Sequence, residues 1–205
     1  SNNNLFERNM KLMLVKTSLI KKDTIRSIIN GALDQLYEKD EYLICHESVS
    51  DRFSRVSERG IVFRFGIYVE QLLRTNEDNL FDGYNLDAEY NRNINNVKCI
   101  PTVEKGAYPD LIIHNRGNNN YNLLAIEIKP WWVKLPADEN NKDLNKLRDF
   151  TTEPPQQTTF EVEEKMYKYK YGLFIVISQF RQDIELKWFQ SGEGKKYDNL
   201  DINNP

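Results

Sequence analysis

Two apolar segments separated by a short Asn-rich turn constrain the fold of this chain more than any other feature. Residues 110–114 are Asp-Leu-Ile-Ile-His, and residues 122–129 are Asn-Leu-Leu-Ala-Ile-Glu-Ile-Lys. Between them, residues 116–120 are Arg-Gly-Asn-Asn-Asn, which is typical of a turn. Apolar and β-branched runs of this length predict strands, and so short a connection favours antiparallel pairing. The sequence therefore predicts an antiparallel β-hairpin over residues 110–129.

The second strand of this hairpin carries two charged residues among apolar ones. Side chains at positions i and i+2 share one face of a strand. Glu127 and Lys129 therefore point to one side, whereas Leu124, Ile126 and Ile128 point to the other. Charged groups at the end of an apolar strand are costly to remove from water unless they are paired. We therefore expect Glu127 and Lys129 to have ionic partners or a chemical role.

Asp110, at the start of the first hairpin strand, completes a compact group of two acids and one base with Glu127 and Lys129. Two neighbouring carboxylates repel each other, and a divalent cation relieves that repulsion. Water bound to such a cation can attack a phosphodiester, while a lysine orients the water or offsets developing charge. The alternative is an exposed ion pair between Asp110 and Lys129 across the hairpin, with Glu127 in solvent.

The position of this group is more informative than its residue types. An acid-x-Lys triplet occurs four times in the chain, starting at Glu127, Glu163, Glu185 and Glu193. The dipeptide Pro-Asp occurs once, at 109–110. Only the Glu127 triplet lies on a predicted strand that pairs with the strand carrying Pro-Asp, and this context favours the chemical interpretation.

Helices and further strands are predicted on both sides of the hairpin. Periodicity predicts helices over 24–38, 57–74, 143–150 and 160–169, strands over 85–91, 171–178 and 184–189, and a loose tail over 192–205. Of these strands, 171–178 is apolar throughout, as in strands buried on both faces, and 184–189 is predicted to be an edge strand. The expected fold class is α/β (α+β), with a mixed central sheet flanked by helices and an N-terminal helical extension.

Together these features resemble the PD-(D/E)XK nuclease superfamily. The resemblance rests on Pro109-Asp110, sixteen intervening residues and then Glu127-Ile128-Lys129, in the element order helix, three strands, helix, strand. It implies a restriction-endonuclease-like core over residues 56–178 and metal-dependent hydrolysis of nucleic-acid phosphodiesters, in DNA more than in RNA. The alternative is a catalytically inactive module with the same fold that binds protein or nucleic acid.

The resemblance also implies roles for individual residues. Asp110 and Glu127 correspond to metal ligands, and the carbonyl group of Ile128 to a third ligand. Lys129 corresponds to the residue that positions water or stabilises charge. The implied cofactor is Mg²⁺ or Mn²⁺.

A further acid often comes from the helix before the first core strand in that superfamily, and Glu58 and Glu70 are the two candidates. At 100° per residue, Glu58 falls within about 40° of the apolar stripe of the predicted helix, whereas Glu70 lies toward its flank. We therefore assign Glu58 to the site, where a metal or Lys129 would explain an inward acid. The alternative is that Ser57 caps the helix and Glu58 only favours its positive end.

Three further residues are candidates for contacts with the substrate. Glu89 and Arg92 lie at the end of the strand over 85–91, where Arg92 could contact a phosphate. Trp131 follows Lys129 by two residues, and its indole could stack on a base. The alternatives are a solvated strand face for Glu89 and Arg92, and a core or partner-facing position for Trp131.

Charge and cysteine content exclude several classes of protein. The chain has 28 Lys and Arg against 31 Asp and Glu, a net charge of −3, unlike the strongly basic proteins that coat nucleic acid. Two cysteines, Cys45 and Cys99, and two histidines give little material for a zinc site. The cysteines predict reduced core thiols and a cytoplasmic location, and the apolar runs are too short for a membrane span.

Chain length predicts one domain over residues 1–205, because 205 residues can bury a single core of ordinary size. Within it, residues 1–55 are expected to form the helical extension and 179–205 the edge strand and tail. The expected partner is nucleic acid, DNA in particular, with a homodimer as a possible assembly.

Overall fold

A computed structural model describes residues 13, 15–44, 56–76, 79–89, 92–93, 96–97, 108–118, 121–138, 141–152 and 168–197. Its helices are α1 (Lys22–Lys39), α2 (Glu58–Arg74) and α3 (Lys142–Thr151), with 3₁₀ turns at Glu41–Leu43 and Arg181–Asp183. Its strands are β1 (Asn85–Ala88), β2 (Arg92–Asn93), β3 (Asn96–Val97), β4 (Leu111–His114), β5 (Leu124–Pro130), β6 (Tyr171–Ile177), β7 (Glu185–Gln190) and β8 (Glu193–Tyr197).

Six of these strands form one mixed sheet in the order β1-β4-β5-β6-β7-β8. Strands β5 and β6 run parallel, and the other neighbouring pairs in this sheet are antiparallel. The predicted hairpin is confirmed as the β4–β5 pair, in which Leu111 lies opposite Ile126. The predicted α+β class, a mixed sheet flanked by helices, is also confirmed.

Helices cover both faces of the sheet, because each face presents apolar side chains that must be buried. One face carries Ile126, Ile128 and Ile175, which pack with α1 and α2 into the larger apolar cluster. The other face carries Ala125 and Phe174, which pack with Leu144, Leu147 and Phe150 of α3. Helix α1 contributes Ile25, Ile29 and Leu33 to the same cluster as the sheet.

Helix α3 lies in the crossover between the parallel strands β5 and β6, and Gly172 sets its distance from the sheet. A Cβ atom on Gly172 would lie 3.2 Å from Phe189 Cβ and 3.3 Å from side-chain carbons of Leu147 and Thr151. The C-terminal half of α3 therefore approaches the sheet at the start of β6. Because the helix runs back along β5, its first turn lies over the C-terminal end of β5.

The C-terminal part of the sheet contradicts two predictions. Residues 193–197, predicted as part of a loose tail, form β8 beside β7, so β7 is not the predicted edge strand. The two strands are joined by Ser191 and Gly192, whose φ angles of 51° and 79° suit a tight two-residue hairpin turn. Residues 198–205 lie outside the described residues.

Two other predicted elements also differ from the observed secondary structure or lie partly outside the described residues. The strand predicted over 85–91 ends at Ala88, because Glu89 adopts a left-handed φ of 46°. Most of the helix predicted over 160–169 lies outside the described residues, and its described end, 168–169, is not helical. Cys45 and Cys99 also lie outside the described residues. Among the described helices, none has the length and apolar character needed to cross a bilayer.

Candidate active site

The register of the β4–β5 hairpin brings Asp110 beside Glu127. Leu111 lies opposite Ile126, so Asp110, one residue earlier, lies opposite Glu127 and shares its face of the sheet. The backbone N–H of Ile128 donates to Asp110 Oδ2 at 2.7 Å, which fixes the orientation of this carboxylate. Burial raises the pKa of Asp110 above its usual value, although the Ile128 N–H and Lys129 act in the opposite direction.

Glu127 is a buried acid with an ammonium group as its neighbour. Its residue exposure is 1%, and Phe174 lies beside it on β6. The Nζ atom of Lys146 lies 2.5 Å from Glu127 Oε1, but this contact lacks the directional geometry of a hydrogen bond. Burial raises the pKa of Glu127 well above its usual value, against the attraction of Lys146. A carboxylate so buried requires a cation beside it to stay ionised.

Lys129 points to the same face and pairs with two acids. Its Nζ atom donates to Glu58 Oε1 at 2.8 Å and lies 3.5 Å from Asp143 Oδ2. Burial alone would lower the pKa of Lys129, but the hydrogen bond to Glu58 and the charge of Asp143 raise it above its usual value. Lys129 is therefore a cation and a hydrogen-bond donor at neutral pH, and does not act as a base.

Glu58 reaches Lys129 from the first turn of α2. Ser57 caps this helix, because its Oγ accepts a hydrogen bond from the N–H of Arg59 at 3.3 Å. Ser57 therefore caps α2 while Glu58 reaches inward to Lys129, so the two alternatives weighed from the sequence occur together. Glu70 lies twelve residues further along α2 and pairs with Arg74 at 2.8 Å.

The carbonyl group of Ile128 lies on the same side of β5 as Asp110. In a strand, the N–H and C=O of one residue point to the same side. The Ile128 N–H points to the β4 side, toward Asp110, and β4 begins only at Leu111. The Ile128 carbonyl therefore lies on the side of β5 where no strand of the described residues continues.

Asp143 and Lys146 complete the charged group and were not assigned to it from the sequence. Besides its contact with Glu127, Lys146 Nζ lies 3.2 Å from Asp143 Oδ1. Asp143 thus bridges the two lysines, with Lys129 at its other oxygen. Asn141 caps α3 by accepting from the N–H groups of Asp143 and Leu144. Their i and i+3 spacing at a helix start is shared by ordinary solvent-exposed pairs, so the sequence carried no signal that identifies them with the site.

The charged group contains more acids than lysines. Four acids and two lysines carry a net charge of −2 when all are ionised; they are Glu58, Asp110, Glu127, Asp143, Lys129 and Lys146. Neighbouring backbone carbonyl groups also provide oxygen atoms. Oxygen is the ligand atom that Mg²⁺ and Mn²⁺ prefer. Within the described ranges no three Asp, Glu, His or Cys side chains form a ready metal cluster. Mg²⁺ commonly uses only one or two carboxylates with water and phosphate oxygens, so Asp110 and Glu127 fit it.

Of the three predicted substrate contacts, only Glu89 is shown beside Asp110 among the described residues. Glu89 is exposed and pairs with Arg59 at 3.3 Å, and its N–H donates to the carbonyl of Asp110. The side chain of Arg92 is not among those described. The indole of Trp131 is half-buried and donates to the carbonyl of Ile44 at 3.4 Å.

His114, Asp87 and Arg116 form a separate group at the far end of β4. Asp87 Oδ2 lies 2.7 Å from Nε2 of the buried His114 and 2.8 Å from Nε of Arg116. Burial raises the pKa of Asp87, but Arg116 and His114 more than offset this, so its pKa lies below the usual value. This geometry assigns Asp87 a structural role in holding β1 against β4.

We expect Asp87→Asn to lower the free energy of unfolding by about 1–2 kcal/mol at pH 7, because it weakens hydrogen bonds to a charged acceptor. An acid whose pKa is lowered by folding stabilises the protein above its unfolded pKa, and this contribution is lost as the pH falls below about 4. Urea denaturation from pH 7 to pH 3.5 measures the difference, with the exposed Asp183→Asn as control. A difference that persists unchanged at pH 3.5 would contradict this role.

Comparison with known proteins gives no relative from which a function could be transferred. No protein-family model, curated protein or solved structure matches this chain.

Proposed function

We propose that this chain is a metal-dependent nuclease that hydrolyses phosphodiesters of nucleic acid, DNA in preference to RNA. The observation that carries the proposal is the convergence of Asp110, Glu127 and Lys129 on one face of the β4–β5 pair, with Glu58 bonded to Lys129. The order α2, β1, β4, β5, α3, β6, with β5 and β6 parallel, supports a restriction-endonuclease-like core.

In this proposal each residue has a distinct task. Asp110 and Glu127 would hold Mg²⁺ or Mn²⁺ together with the Ile128 carbonyl. The bound cation would supply a more acidic water and neutralise charge on the phosphate. Lys129, protonated and oriented by Glu58, donates a hydrogen bond toward the water or the phosphate oxygens. The net negative charge of the chain is consistent with binding a polyanion through a cation rather than through a basic groove.

A second candidate is a binding module that keeps the fold without catalysis. The ion pair between Lys146 and Glu127 favours it, because an ammonium already neutralises the buried acid in the absence of metal. Such a module would bind protein or nucleic acid, alone or as a homodimer, and would leave nucleic acid uncut.

Incubation with supercoiled plasmid and with DNA and RNA oligonucleotides of one sequence distinguishes the two candidates. We expect nicked or linear plasmid with Mg²⁺ or Mn²⁺ and none with EDTA, because the carboxylates cannot activate water alone. Product appearing equally in EDTA would contradict a metal-dependent mechanism. Failure to cut any of these substrates at enzyme excess, with either cation, would favour the binding module.

A further inference from the structure

Three oxygen atoms from three parts of the chain surround the ammonium group of Lys146. Its Nζ lies 2.5 Å from Glu127 Oε1 and 3.2 Å from Asp143 Oδ1, and it donates to the carbonyl of Tyr108 at 3.2 Å. The side chain of Lys146 is only 14% exposed. A buried positive charge enclosed by two carboxylates and a carbonyl occupies the kind of environment that a hard metal cation requires.

A divalent cation at Glu127 would meet this ammonium at close range. Oε1 of Glu127 cannot contact Lys146 Nζ at 2.5 Å and also bind a metal without placing two positive charges side by side. Like charges about 4 Å apart near a protein surface repel by several times the thermal energy. Binding of a cation to Glu127 therefore requires Lys146 to withdraw.

The structure offers Lys146 a place to withdraw to. Asp143 precedes it by one helical turn, and the Tyr108 carbonyl already accepts a hydrogen bond from it. The four-carbon stem of a lysine is flexible and its ammonium can rotate among acceptors. Lys146 can thus release Glu127 while Asp143 and Tyr108 still bind its charge.

We propose that Lys146 is an internal competitor for the divalent cation: it holds Glu127 in the metal-free protein and must leave Glu127 before metal binds there. This inference rests on the metal site of the proposed function. It assigns Lys146 a positioning role that sets the metal affinity of the site. Lys129, held by Glu58 on the other side of Asp143, does not contact Glu127 among the described interactions.

Isothermal titration calorimetry with MnCl₂ tests this inference without any nuclease assay. We expect Lys146→Met to bind Mn²⁺ at least about tenfold more tightly than the wild type, because the competing charge is gone. Lys142→Met is the matched control, because Lys142 lies exposed on the same helix. This substitution also removes one positive charge. It is expected to bind Mn²⁺ as the wild type does. Adding Glu127→Gln to Lys146→Met is expected to abolish the gain.

Each outcome bears on the inference separately from the proposed function. Equal Mn²⁺ affinities of the wild type and Lys146→Met would overturn the inference. Loss of Mn²⁺ binding in a folded Lys146→Met would also overturn it. Both conclusions hold even if the wild type cuts DNA. Tighter binding in Lys146→Met together with uncut DNA would support the inference and contradict the nuclease. If Lys146→Met does not fold, Lys146→Gln takes its place, and a rise in its melting temperature with Mn²⁺ that exceeds the rise in wild type carries the same meaning.

Discussion

In the proposed nuclease, replacement of Lys129 by methionine is expected to lower the rate of metal-dependent cleavage by about 10²- to 10³-fold. Methionine keeps most of the length of the side chain and removes the ammonium that bonds to Glu58 and faces Asp143. A donor aimed at the charge that develops on a phosphate oxygen stabilises the transition state more than the bound substrate. The rate of plasmid nicking under single-turnover conditions measures the loss.

Lys134→Met is the control for this change, because Lys134 lies exposed five residues beyond Lys129. It removes one positive charge from the same region and is expected to cut at the wild-type rate. Circular dichroism and melting temperature show whether each variant is folded. A folded Lys129→Met that nicks plasmid as fast as the wild type would remove Lys129 from the mechanism.

The hairpin and its charged face could be predicted from the sequence because both depend on local rules. The alternation of side chains along β5 places Glu127 and Lys129 on one face regardless of the rest of the fold. A connection as short as the one between these two segments favours antiparallel pairing, and the register of β4 and β5 brings Asp110 to Glu127. The helical period of α2 likewise places Glu58 on its inward side.

The partners of these charges could not be predicted, since they depend on where α3 crosses the sheet. That placement follows from the close packing of Leu147 and Thr151 on Gly172, a contact between residues more than twenty positions apart. From the sequence, Asp143 and Lys146 resemble an ordinary solvent-exposed pair at a helix start. Only the tertiary structure brings Lys146 to Glu127 and Asp143 to both lysines.

Strand β8 was not predicted from the sequence, for a different reason. Its sequence, Glu-Gly-Lys-Lys-Tyr, is charged and has little apolar alternation. Edge strands often carry lysines, which discourage pairing with other chains, so the usual signal of a strand is weakest there. The Ser191-Gly192 turn was the available local indication of a hairpin.

Asp110→Asn is expected to lower the activity without lowering the stability of the fold. In the proposed nuclease we expect cleavage to fall by about 10²-fold or more, because a neutral amide is a poor ligand for a hard divalent cation. We expect the free energy of unfolding at pH 7 to be equal to or greater than that of the wild type. The amide side chain of the variant keeps an oxygen that can accept from the Ile128 N–H, while one of four acids in a group with two lysines is removed.

The pH dependence of this stability difference gives the sharper test. Burial raises the pKa of Asp110, so folding favours its protonated form, and the wild type loses stability as the pH rises from about 4 through the folded-state pKa. The Asp110→Asn variant lacks this loss, so its advantage in urea denaturation should grow from pH 4 to pH 7. Asp183→Asn, at an exposed position, is the control for the loss of one carboxylate. An Asp110→Asn protein that is less stable than the wild type at pH 7 would mean that the ionised carboxylate stabilises the fold. Asp110 would then have a structural role, and its position would not support cation binding.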